Sequence, residues 1–203
     1  FIRQPSRGSE EEPIAREILG SLMKRAFRRP ISKSDLIKPI AFFRDRVRDG
    51  GFEAGIESAL TSILVSPEFL FRVEKEPVQE TPGTAYHISG LELASRLSFF
   101  VWSSLPDEEL LDLAICGKLR DSDVLETQVR RMLSDPRSNS LVNNFASQWL
   151  HLRNLDSITP DLRLYPDFDD NLRQAFRKET ELFVESVFRE DHSVLNLLKA
   201  DFT

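Results

Sequence analysis

The chain has 203 residues, of which 40 % are hydrophobic and 30 % are charged, with 8 Gly and 11 Pro. Its length suits one large domain or two small ones, and its composition is typical of globular proteins rather than disordered or fibrous ones. The formal net charge of −6 argues against a nucleic-acid partner, because such proteins concentrate positive charge on one face.

The apolar runs are short, and the cysteine count is low. Runs such as LSFFVW at 97–102 fall far below the roughly 20 residues that cross a bilayer, so we predict no transmembrane segment. The single cysteine, Cys116, cannot form an internal disulfide, and the chain has no C-x-x-C-H motif for attaching haem. Because it lies in an apolar helical stretch, we expect Cys116 to be a buried, inert thiol.

The spacing of apolar residues predicts three helices and a short final turn in the first part of the chain. The first helix covers about residues 11–28, since apolar residues recur on one face there. Gly50 and Gly51 are expected to end the second helix. The third carries a continuous apolar stripe, with Gly55 at its margin to let a neighbouring helix approach closely. The short turn PEFLFR follows Ser66.

Residues 73–86 contain two Pro and a Gly without an apolar period, which is typical of a linker. The capping-box spacing of Ser89 and Glu92 predicts that a helix begins there and continues to about Trp102. Five more helical segments are predicted after it, at about 104–116, 124–134, 141–152, 168–189 and 193–200. The sequence therefore predicts an all-α fold of eight to nine helices in two packed helical subdomains, 1–72 and 87–203, joined by the linker 73–86.

The aromatic residues in ELASRLSFFVW at 92–102 raise the choice between a site and a core. On a helix these apolar side chains cover most of the circumference, and such helices are usually buried. We therefore interpret Phe99, Phe100 and Trp102 as core residues.

One carboxylate, Glu179, falls inside an apolar arc of the predicted long helix. The residues that share this arc at 100° per residue are Leu172, Phe176, Phe183 and Val187. A buried carboxylate needs a partner, and Arg96 on another core helix is one candidate. The sequence thus predicts a buried Arg96–Glu179 ion pair, interpreted as an internal strut in preference to a catalytic pair.

No catalytic, cofactor-binding or metal-binding residue is assigned from motifs. His87, His151 and His192 are widely separated, without H-x-x-x-H or H-E-x-x-H spacing, and each is interpreted as a surface or capping residue. The Glu-x-x-His pairs of di-iron bundles are absent, as are nucleophile elbows and phosphate loops.

Several blocks of the sequence resemble a known pair of adjacent domains. They include ILGSLMKRAFRRPIS, GFEAGIESALTSILVSPEFLFR, ELASRLSFFVWSSLPDEELLDLA and FRKETELFVESVFRED. The chain is similar over nearly its whole length to PSD-type helical domains of unknown function, which occur in large planctomycete and myxobacterial proteins together with c-type cytochrome domains. The resemblance implies an exported, periplasmic or extracellular protein with haem c in neighbouring domains, and a second domain that is truncated here and continues past Thr203.

We accordingly expect a non-catalytic helical scaffold or docking module that supports electron transfer, with a c-type cytochrome domain of the same polypeptide or a redox protein as its partner. The alternative is part of a periplasmic oxidoreductase whose active site lies at the cytochrome interface and uses Glu179, Arg96 and His151. A third class, surface binding of polysaccharide or protein, would be indicated by exposed aromatic residues around Tyr165 and Phe168. Phe168 has a second interpretation, as the staple of the following helix.

Overall fold

The computed structural model describes residues 11–72, 74 and 85–199. Over these residues the chain is helical and has no strands, which confirms the predicted all-α class. The α-helices are α1 Glu11–Ala26, α2 Ile37–Leu64, α3 Pro67–Leu70, α4 Gly90–Trp102, α5 Glu108–Ile115, α6 Ser122–Ser134, α7 Ser147–Trp149, α8 Asp170–Arg189 and α9 Asn196–Lys199. Two 3₁₀ turns, Pro136–Ser138 and Leu152–Ser157, and a π-helical segment, Leu141–Ala146, complete the helical structure.

The contacts divide the chain into two compact units. The first comprises the described residues up to Arg96 together with Leu105–Val124, and the second comprises Leu97–Ser104 together with the described residues from Leu125 onward. This partition differs from the predicted domains 1–72 and 87–203, which stay a prediction. Most of the predicted linker 73–86 lies outside the described residues.

In the first unit, α1 packs against α2. The buried core residues are Ala15, Leu19, Met23, Ala26, Ile40, Phe43, Ala59 and Ile63. At Gly51 the backbone has φ 79° and ψ −177°, a combination that essentially only glycine adopts, so α2 is two helical arms joined at this residue. A Cβ on Gly55 would lie 2.7 Å from Cδ2 of Phe43. The missing side chain therefore lets the two arms pack closely, as the sequence predicted.

The end of α1 is tied to α3 by a buried arginine. Arg28 has a left-handed backbone, with φ 56°, and its guanidinium donates to the carbonyls of Glu68 and Phe71, each at 2.9 Å. Burial lowers the pKa of Arg28. Because the charge is solvated by carbonyl oxygens at a helix C-terminus, where a cation is favoured, the desolvation cost is offset.

In the second unit, α8 packs on the segment Leu141–Ala146. Val142, Ala146 and Val184 form its buried cluster, with Phe188 and Leu197 packed against it. Arg177 pairs with Asp156 at 2.7 Å and joins the 3₁₀ turn Leu152–Ser157 to α8. No helix in the described part of the chain has the length and apolar character that a membrane span requires.

Candidate functional site

Three aromatic side chains of the second unit lie together at the surface, and we refer to Phe100, Phe145 and Trp149 as the aromatic cluster. Their exposed fractions are 51 %, 40 % and 54 %. The rings of Phe100 and Phe145 meet edge to face with centroids 5.2 Å apart, and those of Phe145 and Trp149 stack at 6.0 Å. Single exposed apolar residues are ordinary, but three rings joined through Phe145 form a continuous aromatic surface.

The end of α4 is held so that Phe100 faces outward. Two residues on, Trp102 is buried and donates its indole N–H to the carbonyl of Met132 at 2.9 Å. The guanidinium carbon of Arg137 lies 3.6 Å from the Trp102 ring centroid. Arg137 also binds Asp135 at 2.8 Å, and this hydrogen bond lowers the pKa of Asp135 to about 2. Fixing Trp102 inward places Phe100 on a different side of α4.

The other two rings come from one short helical run. Phe145 lies in the π-helical segment, and Trp149, four residues later, ends α7. The buried residues of this run, Val142 and Ala146, anchor it on α8. Single π-helical turns are frequent at functional sites, because the wider turn re-aims the side chains that follow it.

The cluster is bordered by a polar contact. The side-chain amide of Asn144 donates to the hydroxyl of Ser103 at 2.7 Å, which joins the two helical segments that carry the rings. Ser103 and His151 both have left-handed backbones, with φ 51° and 57°, just after α4 and α7 end. The aromatic cluster therefore sits between two sharply terminated segments and offers apolar contact area with hydrogen-bonding groups at its margin.

The structure does not bury Glu179, so the burial on which the predicted Arg96–Glu179 pair depended is wrong. The core-facing residues of α8 are Val184, Val187 and Phe188. Val187 lies at the edge of the arc that the sequence suggested, and the centre of the buried face is rotated by roughly a quarter of a turn from the centre of that arc. Arg96 is also exposed, and its Nε donates to Oε1 of Glu74 at 2.8 Å. This hydrogen bond lowers the pKa of Glu74 and raises that of Arg96.

Glu179 lies instead at an open groove beside α8 and α9, with a volume of about 940 Å³. The groove is lined by Glu179, Thr180, Leu182, Phe183, Ser186, Glu190, His192, Asn196, Leu197 and Leu198. His151, the third residue of the predicted oxidoreductase site, is not among them. Among the described residues, Glu179 and His151 therefore do not meet in this groove.

The remaining candidates are exposed. The surface carries all three histidines, His87, His151 and His192. Cys116 is also exposed, so the expectation that its thiol is buried is wrong. The described residues contain no group of three or more His, Cys, Asp or Glu placed to hold a metal ion. Tyr165 is exposed, whereas Phe168 is only partly so and has the guanidinium carbon of Arg173 at 5.2 Å from its ring centroid.

The contact of Phe168 with Arg173 bears on its staple interpretation. Asp169 caps α8 by accepting from Leu172 N–H at 2.7 Å, which puts Phe168 one residue before the cap and Arg173 at the fourth helical position. These are the two positions of a hydrophobic staple, with an arginine in place of the apolar partner. The staple interpretation of Phe168 thus correctly placed this residue in a contact at the start of α8.

Sequence reasoning missed the aromatic cluster. Phe100 was expected in the core because α4 is apolar almost all round, and Phe145 and Trp149 fitted one apolar helical face. A usable signal was present in α4, which carries apolar residues over more of its circumference than a single neighbouring helix covers.

Comparison with known proteins identifies two adjacent regions. Residues 88–203 match the family model described as PSD4: Protein of unknown function (DUF1592). Residues 14–74 match the one described as PSD5: Protein of unknown function (DUF1595). No curated protein and no solved structure matches the chain.

Proposed function

The chain belongs to the PSD4 family of proteins of unknown function and carries a PSD5 domain before it, and from that premise we propose that it is a non-catalytic helical docking module. Its partner would be a c-type cytochrome domain of a larger exported protein, and its role would be to support electron transfer. The haem would be held by that partner, since the chain has no C-x-x-C-H motif.

The aromatic cluster is the observation that supports docking. Aromatic side chains are enriched in the buried centres of protein interfaces, where each ring gives a large contact area at a small cost in conformational entropy. Trp149 is more than half exposed, so the chain itself leaves most of this area available. Redox partners form small interfaces, often below about 1,200 Å² in total. A patch centred on three rings has a scale suited to that class.

The charge of the chain supports the same kind of partner. At a net charge of −6, the chain attracts a basic protein over distances of about a Debye length, roughly 8 Å at physiological salt. Such steering raises association rates without requiring a tight complex. Fast and weak association is what a redox partner needs, so we expect the interaction to weaken as salt is added.

The oxidoreductase alternative receives less support. Arg96 pairs with Glu74, and His151 is not among the described residues that line the groove of Glu179. Catalysis by these groups would require them to converge on one reacting atom. The scaffold is therefore the function that the described residues support best.

The test is a titration of the chain with a soluble, basic monohaem c-type cytochrome. Binding is measured by calorimetry and by the change in the Soret absorption of the haem. We expect binding that is weakened at least about tenfold in Trp149→Ala, because the largest ring of the cluster is removed. Tyr165→Ala is the matched control, since Tyr165 is a similarly exposed aromatic residue outside the cluster. It should bind like the unmodified chain.

Three outcomes would count against the proposal. If the cytochrome does not bind at low salt, the chain is not a docking module for it. If Trp149→Ala binds as well as the unmodified chain, the aromatic cluster is not the contact surface. If β-linked oligosaccharides bind with loss on Trp149→Ala while the cytochrome does not, the surface-binding class replaces it.

A further inference from the structure

The groove beside α8 and α9 is a second feature of the second unit, separate from the aromatic cluster in the residues that form it. Its floor is apolar and includes Leu182, Phe183, Leu197 and Leu198. Leu198 is 83 % exposed and Leu182 is 51 % exposed. Phe183 and Leu197 are only partly exposed, so most of the apolar area that a partner could remove from water belongs to the two exposed leucines.

The floor is distinct from the face that α8 uses in the core. Leu182, Ser186 and Glu190 recur every four residues along one side of the helix. The buried residues Val184 and Val187 lie on another side, toward the cluster with Val142 and Ala146. Helix α8 thus packs one face into its own unit, and a different face, with Leu182 and Phe183 as its apolar residues, borders the groove.

Negative charge marks both ends of the groove. Glu179 and Glu190 are eleven residues apart on α8, which corresponds to about 16 Å along the helix axis. No Lys or Arg is among the described residues that line the groove. Nε2 of His192 lies 2.9 Å from Oε2 of Glu190, so this end also holds one group that is cationic only when protonated.

We propose that this groove binds a basic amphipathic helix of a partner protein, with apolar residues on the floor and Lys or Arg near Glu179 and Glu190. The lining of α8 extends over about three helical turns between Glu179 and Glu190 and has apolar residues between these carboxylates, which suits the helix-in-groove mode with anchors at i, i+4 and i+7. The carboxylates select the charge of the ligand, because an acidic helix would place like charges opposite both ends. The inference concerns a different surface from the cytochrome proposal and does not rest on it.

The probe is a fluorescein-labelled synthetic peptide of about four helical turns, roughly 14 residues, with Leu at helical spacing and Lys at both ends. One matched peptide has Glu in place of every Lys. A second contains the same residues as the first, rearranged so that the Leu residues lose helical spacing. Fluorescence anisotropy with the 203-residue chain should show binding of the first peptide, with both matched peptides at least about tenfold weaker.

Variants of the chain locate the site. Leu198→Ser should lower the affinity for the basic peptide severalfold. The double variant Glu179→Lys with Glu190→Lys should lower this affinity further and raise the affinity for the acidic peptide. Leu164→Ser is the matched control, because Leu164 is a similarly exposed leucine outside the groove. All altered side chains are at or near the surface, and circular dichroism should show the same helix content in each variant.

Equal binding of the basic and acidic peptides would overturn the charge selection, and equal binding of the rearranged peptide would overturn the helical mode. If the chain self-associates and Leu198→Ser abolishes this, the groove belongs to a second copy and the proposal fails. Trp149→Ala should leave peptide binding unchanged. Failure of the cytochrome titration and failure of the peptide titration are therefore separate results.

Discussion

Two aromatic pairs of similar geometry lie in opposite surroundings in the two units. Phe43 and Phe52 of the first unit meet edge to face with centroids 5.6 Å apart, and Phe43 is 1 % exposed. Phe100 and Phe145 of the second unit meet in the same way at 5.2 Å, yet about half of Phe100 is exposed. The ring contact is the same, but only the first pair is enclosed by further side chains of the protein.

The difference in exposure means that the first pair contributes to folding stability, whereas the exposed rings are available for binding. Around Phe43 the two arms of α2 and the helix α1 remove apolar surface from water, so the contact contributes to folding. Around Phe100 and Trp149 that surface remains in water and is available to a partner. We therefore expect substitutions in the first pair to change the free energy of unfolding, and those in the aromatic cluster to change association.

The largest effect is expected for Phe43→Ala. Replacing a buried Phe by Ala removes transfer free energy and leaves a cavity, which typically costs about 3–5 kcal/mol in the free energy of unfolding. Phe42→Ala, one residue earlier and 42 % exposed, is the matched control and should cost much less. Urea unfolding followed by circular dichroism measures both. Equal losses in the two variants would contradict the difference in burial between these positions.

Two glycine substitutions test the close packing around Phe43. A Cβ at position 55 would meet Cδ2 of Phe43 at 2.7 Å and the Phe43 carbonyl oxygen at 3.1 Å, so Gly55→Ala should destabilise by about 1–3 kcal/mol. A Cβ at position 20 would meet nothing within 4 Å. Gly20→Ala in α1 should therefore stabilise by up to about 1 kcal/mol, because alanine is the better helix former. The same unfolding experiment gives both values. If Gly55→Ala also stabilised the chain, the contact of the added Cβ with Phe43 would have been relieved by movement of the ring.

Local signals in the sequence predicted the helix ends well, because they depend on residues close together in the chain. The capping box is formed: Ser89 N–H donates to Glu92 at 2.8 Å, and Glu92 N–H donates to the Ser89 hydroxyl at 3.2 Å. Gly51 interrupts α2 at the predicted place. These features follow from backbone geometry and need no knowledge of the tertiary structure.

The faces of the helices were harder to predict. A helical wheel gives the angles between residues of one helix, but the arc that meets a neighbour is set by tertiary packing. On α8 the sequence selected the arc containing Glu179, whereas the buried arc contains Val184 and Phe188. On α4, with apolar residues nearly all round, no wheel could show that Phe100 is the side chain left outside. Both misses concern surfaces that we propose bind partners.

A small effect on stability is expected at the aromatic cluster itself. Phe100→Ser removes one ring contact at a half-exposed position, and the unfolding free energy should fall by no more than about 1 kcal/mol. Both tryptophans, Trp102 and Trp149, belong to the second unit, so their fluorescence during urea unfolding reports on this unit. A loss as large as that of Phe43→Ala would mean that Phe100 is a core residue, as the sequence suggested.

The smallest effect concerns an ion-pair network between α1 and α2 at the surface of the first unit. Glu12 accepts from Arg44 Nε at 2.7 Å and from Arg16 Nε at 3.0 Å, and these hydrogen bonds lower the pKa of Glu12 from 4.5 to about 2. Because the folded-state pKa is the lower one, this stabilisation is fully present above about pH 5 and is lost as the pH falls from there through 2.

Glu12→Gln should therefore lower the Tm at pH 7 by no more than a few degrees, since exposed ion pairs contribute little and are screened by salt. The difference from the unmodified chain should shrink as the pH is lowered from about 5 and disappear only below about pH 2. Glu57→Gln, at an exposed carboxylate of α2, is the matched control and should show no comparable dependence. Thermal unfolding across this pH range measures the difference in Tm. If this difference grows on acidification, the folded state does not lower the pKa of Glu12. Even at its maximum, the change should stay well below that of Phe43→Ala, because enclosure by apolar side chains stabilises the first unit more than its surface charges do.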